Sequence, residues 1–288
     1  QVVVDATGDC FVTDYCGFET MHEGPNVQLP MSLYFTLWDT GKPVQPFLPA
    51  DCPTWERDED LPMTTVHNFP SGKAEVKMKV IGFDSCDGES LSAAEIQARR
   101  QMMGLIYYLQ THGYRGRVYD THVLASVSRQ IGIRGACRAV GEHVLTEEEV
   151  KDSKSFSDIV AVGTYHIDYH WPDKVERAGT GITTNLDPYP IPLRSLIVKG
   201  SKNLLVAGRC ASADQMAMSS MRVMAPCAQM GFGAGTPAAQ CLEGGRSLQE
   251  VSISKIQTAL AENGQELDVS EYGEYLEKRR RSEERRVG

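Results

Sequence analysis

The eight cysteines of this 288-residue sequence include no C-x-x-C pair, and their spacing is irregular. A zinc site or a disulfide framework would show closer pairing, so we expect thiols in a reducing compartment, a cytoplasmic protein and no bound metal. No apolar run approaches the roughly 20 residues that a membrane-spanning helix needs. Basic residues are few, 29 against 38 acidic ones. The resulting negative charge repels phosphate backbones and disfavours a nucleic-acid partner.

The sequence also lacks a G-x-G-x-x-G turn between a strand and a helix, the motif that holds the pyrophosphate of a dinucleotide. The closest run, Gly231–Gly235, lies within an apolar helical pattern. Both ends look cut, because Gln1 leads straight into an apolar strand and residues 281–288 show no apolar periodicity. We therefore expect a fragment that ends in a disordered, non-native tail. A natural basic tail is the alternative.

Two short apolar runs, Val2–Ala6 and Leu204–Ala207, are typical of buried strands in a parallel sheet. The long middle of the chain contains half-exposed strands and many prolines, which indicates a separate antiparallel layer. The sequence therefore predicts an α/β protein. One domain is assembled from discontinuous pieces, and a β-rich α+β domain is inserted between them. The other predicted strands are Gln28–Trp38, Lys73–Phe83, Ile159–His170 and Ile191–Ile197.

Local signals also place the helices. Capping boxes that begin at Ser92 and Thr146 predict two helix starts. Pro226 suits a first helical turn, so the apolar helix of the last third should begin near Met224 and be buried on all sides. Pro237 should kink or shorten that helix.

The strongest chemical signal precedes this helix. The strand Leu204–Ala207 runs directly into Gly208 and Arg209, and a polar linker then leads to the helix near Met224. Gly208 lets a ligand approach the strand end closely. The helix N-terminus offers free amides and the positive end of a dipole. This arrangement favours a ligand site, and a generic strand–helix unit of an α/β core is the alternative.

Four segments, in register, resemble the FAD-dependent oxidoreductase family that has the glutathione-reductase-type FAD fold. The segments are Val3–Asp9, Ile131–Glu148, Ile191–Ile197 and the run from Asn203 to Thr236. The first resembles the A-T-G-D strand that lines the family's FAD site. The last resembles the C-terminal flavin motif, which reads N-L-L-V-A-G-R-C-x-S, then S-x-R-V-M, then G-x-A-A-G-T.

The resemblance implies FAD as the cofactor and an incomplete FAD/NAD(P)-binding, Rossmann-like domain. The residues that it places around FAD are Ala6, Thr7, Gly8, Asp9, Gly208, Arg209, Ser219, Ser220 and Met221. Ser219–Met221 would lie nearest the flavin edge where reduced flavin carries negative charge. The family often has histidines in the linker after the cysteine strand, and here residues 214–218 read Asp-Gln-Met-Ala-Met. A histidine acid or base is therefore absent from that linker.

Candidate substrate residues lie in the middle of the chain. Arg134 and Arg138, four apart on a predicted strand, should share a face and suit a carboxylate or a phosphate. A salt-bridged pair on a wet strand face is the alternative. His166, Asp168 and His170 alternate along another predicted strand, where either histidine could donate a proton. A solvated strand face or a polar pocket wall is the alternative, and three adjacent ligands on one strand suit a metal poorly.

The sequence as a whole predicts an FAD-dependent oxidoreductase that transfers a hydride between flavin and a small organic substrate, for which a carboxylate-bearing molecule is one candidate. The expected division is residues 1–28 and 191–245 for the FAD-binding domain, 29–190 for the inserted substrate domain, 246–280 for a C-terminal helical segment and 281–288 for the tail. Without the Gly-rich turn, we expect this chain alone to hold FAD poorly and to be inactive. The alternatives are a truncated, non-catalytic flavin-fold module and a Cys/His metal-binding protein.

Overall fold

The computed structural model describes residues 1–172, 182–245, 247–273 and 277. The predicted tail, residues 281–288, lies outside them. The helices are α1 (Phe11–Tyr15), α2 (Gly88–Thr111), α3 (Glu147–Lys151), α4 (Gln215–Met221), α5 (Met224–Gly244) and α6 (Ile253–Glu262). The strands are β1 (Val3–Asp5), β2 (Thr20–Met21), β3 (Met31–Asp39), β4 (Thr65–Asn68), β5 (Lys73–Val80), β6 (His122–Val127), β7 (Arg138–Ala139), β8 (Ile159–Gly163), β9 (Ile167–Tyr169), β10 (Ile182–Thr184), β11 (Tyr189–Pro192) and β12 (Leu204–Val206).

The chain forms two compact units. Unit 1 is made of Gln1–His22, Gly135–Tyr169 and Ile182–Gly288, and unit 2 is made of Glu23–Arg134 and His170–Gly181. Two parts of the expected 29–190 insert, residues 135–169 and 182–190, therefore group with both ends of the chain. Strand pairing explains this, because β7 pairs with β2 and β8 pairs with β11.

Unit 1 is a mixed α/β body built on small sheets. As the two apolar runs predicted, β1 and β12 pair in parallel, with Val3 opposite Leu204 and Asp5 opposite Val206. The helix α5 packs on β8 at Gly233, where an added Cβ would lie 2.8 Å from the Val160 carbonyl oxygen. Only glycine allows this approach, so this position fixes how closely α5 lies on the sheet.

The helix α5 begins at Met224, as predicted, but it differs from expectation in two ways. It continues past Pro237 to Gly244, so the proline does not end it. It is also not buried on all sides, because Met224 is 89% exposed and Leu242 is 66% exposed. Although α5 is apolar on nearly all sides, only part of its apolar surface is therefore buried within unit 1.

Unit 2 is a four-stranded antiparallel sheet, in the order β4-β5-β3-β6, with α2 on one face. On β3, Leu33 and Leu37 are fully buried, whereas Tyr34 and Trp38 are about half exposed. The alternation is the period-2 pattern of a sheet with one covered face. Leu105 on α2 completes the core of this unit.

Two capping boxes had different outcomes. Thr146 caps α3 as predicted, and Glu149 returns the reciprocal bond. The box at Ser92 is wrong, because α2 starts a turn earlier at Gly88, where the Asp87 carboxylate accepts from the Ser90 amide at 2.7 Å. An aspartate at N-cap satisfies the same orphan donors, so the earlier start is the stable one. Among the described residues, no helix has both the length and the apolar character that crossing a membrane requires.

Candidate functional site

The carboxyl ends of β1 and β12 open into a cavity of about 390 Å³ in unit 1. In a parallel sheet, ligands bind at this end of the strands. The lining residues come from the turns after the two strands and from the start of α5, namely Ala6, Thr7, Gly8, Ala207, Gly208, Arg209, Arg222, Met224, Cys227 and Gly231. Five of the expected FAD-lining residues are thus brought together, namely Ala6, Thr7, Gly8, Gly208 and Arg209.

Glycines shape the two turns that line this cavity. Gly8 and Gly208 adopt φ of +85° and +72°, in the left-handed region that side chains disfavour. A Cβ on Gly8 would lie 2.6 Å from Nη2 of Arg209. The turn after β1 therefore leaves room for the arginine that follows β12, and the two turns form one surface.

Two arginines give the cavity its positive charge. Arg209 donates through Nη2 to the Asp9 carboxylate at 3.1 Å. Arg222 donates through Nη2 to the carbonyl and the carboxylate of Asp168, at 3.1 and 3.2 Å. Asp9 therefore does not line the cavity but holds the arginine that does. Neither carboxylate accepts a hydrogen bond from Nε of its arginine.

The Nε atoms of Arg209 and Arg222 are buried and have no hydrogen-bond partner among the described residues. An unsatisfied buried donor is costly, so such an atom is a place where a ligand acceptor is favoured. Burial lowers the pKa of Arg222, although the Asp168 carboxylate opposes this. A guanidinium stays charged under such a shift.

The N-terminus of α5 adds a third positive element. Val223 is the N-cap and makes no side-chain capping bond, so the first amides of the helix are left for other acceptors. Cys227 lies in the first turn, and its Sγ donates to the Met221 carbonyl at 3.6 Å. Burial raises the pKa of the Cys227 thiol, while Arg209 and Arg222 lower it. The helix dipole and two guanidinium groups thus act on the same cavity.

Ser219, Ser220 and Met221 do not line this cavity. They form the last turns of α4 and are fully buried. The Ser219 hydroxyl donates to the Gln215 carbonyl at 2.8 Å, and the Ser220 hydroxyl donates to the Tyr165 carbonyl at 2.6 Å. The expectation that these three lie nearest the flavin edge stays a prediction, and the structure places them in α4, outside the residues that line the cavity.

Three residues that the sequence analysis did not place around FAD line the cavity, namely Arg222, Met224 and Cys227. Sequence reasoning placed the helix start correctly but did not assign Cys227 to the site. The signal was available, since residues in the first turn of a ligand-facing helix lie beside the ligand.

Arg134 and Arg138 do not share a strand, so that prediction is wrong. The strand β7 contains only Arg138 and Ala139, and Arg134 lies outside any strand. In unit 2, Arg134 donates to the Pro30 carbonyl at 2.6 Å and to the Ser32 hydroxyl at 2.7 Å. In unit 1, Arg138 is 2% exposed and donates through Nε to the Ala213 carbonyl at 2.8 Å. These bonds tie each arginine to a distant segment of its own unit.

The histidine strand is also shorter than predicted. The strand β9 spans only Ile167–Tyr169, so His166 and His170 flank it and fall in separate units. In unit 1, the His166 ring stacks on Tyr165 with a 4.0 Å centroid distance. In unit 2, Nδ1 of His170 lies 2.6 Å from Nζ of Lys79, which is 5% exposed. A lysine ammonium donating there leaves the ring proton on Nε2.

The cavity thus combines glycine turns, two partly buried arginine side chains and a helix N-terminus at the end of a parallel strand pair. Such a surface stabilises negative charge on a ligand without a charged residue having to move. Comparisons of the chain with curated proteins and with solved structures gave no match. A family model described as FAD dependent oxidoreductase matches residues 1–260, which is most of the chain. The chain therefore belongs to the FAD dependent oxidoreductase family.

Proposed function

We propose that the cavity at the ends of β1 and β12 receives the flavin end of FAD, and that the protein transfers a hydride between flavin and a small organic substrate. The observation that carries this proposal is the pair of buried Nε atoms of Arg209 and Arg222, both without a partner among the described residues. Two desolvated donors beside one cavity call for an acceptor-rich, electron-rich ligand. The family membership supports FAD as that ligand.

The residues present fit such a group. Gly8 and Gly208 bring backbone close to the cavity, where larger residues would close it. The N1 and C2=O edge of flavin offers acceptors and carries negative charge when the ring is reduced. Arg209 and Arg222 offer donors, and the first amides of α5 offer a dipole of the matching sign.

FAD supplies the site at which a hydride is accepted or released. The chain's own contribution is electrostatic. Arg222 and Arg209 hold positive charge against the cavity, and Asp168 and Asp9 fix the directions of their guanidinium groups. Because these groups are already oriented, little reorganisation is needed when negative charge develops on the ligand. We expect this arrangement to favour the reduced cofactor and raise its potential.

The substrate side belongs to the proposal as well. Carboxylate-bearing substrates stay one candidate class, although the hydrogen bonds described above for Arg134 and Arg138 run to backbone and serine oxygens. For the proton that accompanies hydride transfer, His166 and His170 are the two proposed donors.

The test is a titration of the purified chain with FAD and, in parallel, with FMN. Binding is followed by the visible absorbance and by quenching of flavin fluorescence, and bound flavin is then reduced photochemically without oxygen. Because we expect the chain alone to hold FAD weakly, the titration extends to high flavin concentrations, where we expect a perturbed flavin spectrum. A chain that is well folded by circular dichroism and yet perturbs neither flavin would overturn the proposal. That result would favour the non-catalytic module.

A further inference from the structure

Beside the cavity, but not lining it, two buried cysteines meet from distant parts of the chain. Cys10 and Cys210 are both 0% exposed and are separated by 200 residues. The Cys10 amide donates to Sγ of Cys210 at 3.3 Å, and Sγ of Cys10 donates to the Cys210 carbonyl at 3.6 Å. The two Sγ atoms lie within 4.8 Å of each other. Side-chain rotation alone can therefore bring them much closer.

The two thiols have different surroundings. Sγ of Cys210 accepts backbone amides from Gly8, at 3.1 Å, and from Cys10, and the Thr7 hydroxyl lies 3.8 Å away. The bond from Cys10 lowers the pKa of Cys210, while burial and the nearby Asp5 carboxylate oppose this. The same pairing, with burial, raises the pKa of Cys10. The two amide donors at Sγ of Cys210 make it the more acidic thiol of the pair, and its Sγ also donates to Oδ1 of Asp5 at 3.8 Å.

Asp5 completes a group of three that could hold a metal ion. Its carboxylate, however, already accepts four hydrogen bonds from Thr7 and Thr13, besides the one from the Cys210 thiol. Oδ1 accepts from the amide and the hydroxyl of Thr7, at 3.1 and 2.7 Å, and Oδ2 accepts from those of Thr13, at 2.9 and 2.7 Å. Because these donors surround both oxygens, a cation would have to displace them. The geometry favours chemistry between the two sulfurs.

We propose that Cys10 and Cys210 are a redox-active dithiol that hydroperoxides oxidise to a disulfide. In the first step, the sulfur of Cys210 attacks one peroxide oxygen as its thiol proton is lost. An S–O bond forms, the O–O bond breaks, and the other oxygen takes up that proton and leaves as water or alcohol, so Cys210 becomes a sulfenic acid. In the second step, Sγ of Cys10 attacks the sulfur of Cys210. The S–S bond forms, the S–O bond breaks, and water leaves with the Cys10 proton.

Oxidant reaches this buried pair through local opening of α1. The helix has five residues, and Cys10 caps it in the left-handed conformation, at φ 57°, without a side-chain capping bond. Phe11 and Tyr15 on the helix are 63% and 92% exposed. A short helix with exposed apolar residues and a strained cap opens more readily than the strands beside it. Oxidation should therefore be slow compared with that of an exposed thiol but specific in its product.

The experiment treats the purified full chain with hydrogen peroxide, blocks remaining thiols by alkylation, and maps disulfides without reduction. We expect a linked pair of tryptic peptides joining Cys10 and Cys210, and a chain lighter by two hydrogens. The closed loop should also run faster on a denaturing gel until a thiol reductant restores the original mobility. In Cys10→Ser, the sulfenic acid on Cys210 should persist and be trapped by dimedone, whereas Cys210→Ser should show neither product.

Two controls keep the assignment clear. Cys16 shares the tryptic peptide of Cys10, because the first Lys or Arg in the chain is Lys42. Cys16→Ser should leave the linkage intact, and so should Cys241→Ser, which alters a buried thiol elsewhere on α5. Pairing of Cys210 with Cys227 or Cys137, or oxidation confined to Cys16, would overturn the proposal. So would protection of Cys10 and Cys210 from alkylation by Zn²⁺, which would favour the metal site.

Discussion

Gly8 lies against the guanidinium group of Arg209, so that a Cβ on Gly8 would be 2.6 Å from Nη2. One residue follows β1 and the other follows β12, and their contact joins two turns that are 200 residues apart in sequence. The direction of the partly buried Arg209 side chain thus depends on the absence of a side chain on Gly8, at the neighbouring strand end.

Gly8→Ala should lower both stability and flavin affinity, because it adds a strained φ and displaces Arg209. Gly17→Ala is the matched control, since Gly17 has φ +77° and nothing within 4 Å of its added Cβ. The strain alone costs about 1–2 kcal/mol, so the control should lose that much and keep its flavin binding. Denaturant unfolding and flavin titration measure the two effects. Equal losses in both variants would show that the contact with Arg209 is unimportant.

Arg222→Gln should weaken flavin binding about tenfold, which corresponds to the loss of one charge-assisted hydrogen bond. It should also lower the reduction potential of the bound flavin, because a positive charge beside the reduced ring is lost. Arg194→Gln is the control, since Arg194 is also paired with an aspartate, Asp158 at 3.0 Å, but does not line the cavity. Titration and potentiometry with reference dyes give both values. A similar effect of the two substitutions would contradict the assigned site.

Ser220→Ala should destabilise unit 1 more than Tyr189→Phe does. The Ser220 hydroxyl donates to the Tyr165 carbonyl and lies 2.6 Å from the fully buried Tyr189 hydroxyl. Removing the tyrosine hydroxyl leaves the serine bonded and costs about 1 kcal/mol. Removing the serine hydroxyl leaves both the Tyr189 hydroxyl and the Tyr165 carbonyl without this partner, which should cost about 2–3 kcal/mol. The free energies of unfolding in urea decide the order, and a reversed order would disprove this chain of bonds.

We expect the free energy of unfolding to fall in acid, and protonation of the Asp5 carboxylate to account for part of that fall. Burial raises the pKa of this carboxyl, but the bonds from Thr7 and Thr13 outweigh it and hold the pKa below its usual 3.8. A lowered folded-state pKa contributes stability that is complete above the unfolded value and is lost as pH falls through the folded value. Asp5→Asn should therefore be less stable at neutral pH and show a flatter decline below about pH 4.

Asp268→Asn is the control for this pH dependence, because Asp268 is an exposed carboxylate bonded to Ser270. The free energy of unfolding of this control should fall with pH as it does in the unsubstituted chain, since an exposed charge is screened by solvent. Unfolding measured at a series of pH values between about 5 and 3 compares the three proteins. An unchanged slope in Asp5→Asn would assign the acid sensitivity to other carboxylates.

Local signals were reliable where nothing competed with them. The capping box at Thr146 and the start of α5 at Met224 follow from side-chain chemistry within one turn. The box at Ser92 failed because Asp87 offered an earlier cap, and the fold selected the longer helix. The predicted strand Ile159–His170 failed because its two halves pair with different partners, β8 with β11 and β9 with β10.

The sequence by itself determined the two parallel strands, the helix that faces their ends and the family to which the motifs belong. These features depend on apolar runs, glycines and caps that act over a few residues. Only the tertiary structure decided which side chains meet in the cavity. It enclosed Ser219–Met221 in a helix and turned Arg222 toward the site. It also brought Cys10 beside Cys210, since contacts between distant segments depend on how the strands pair and pack.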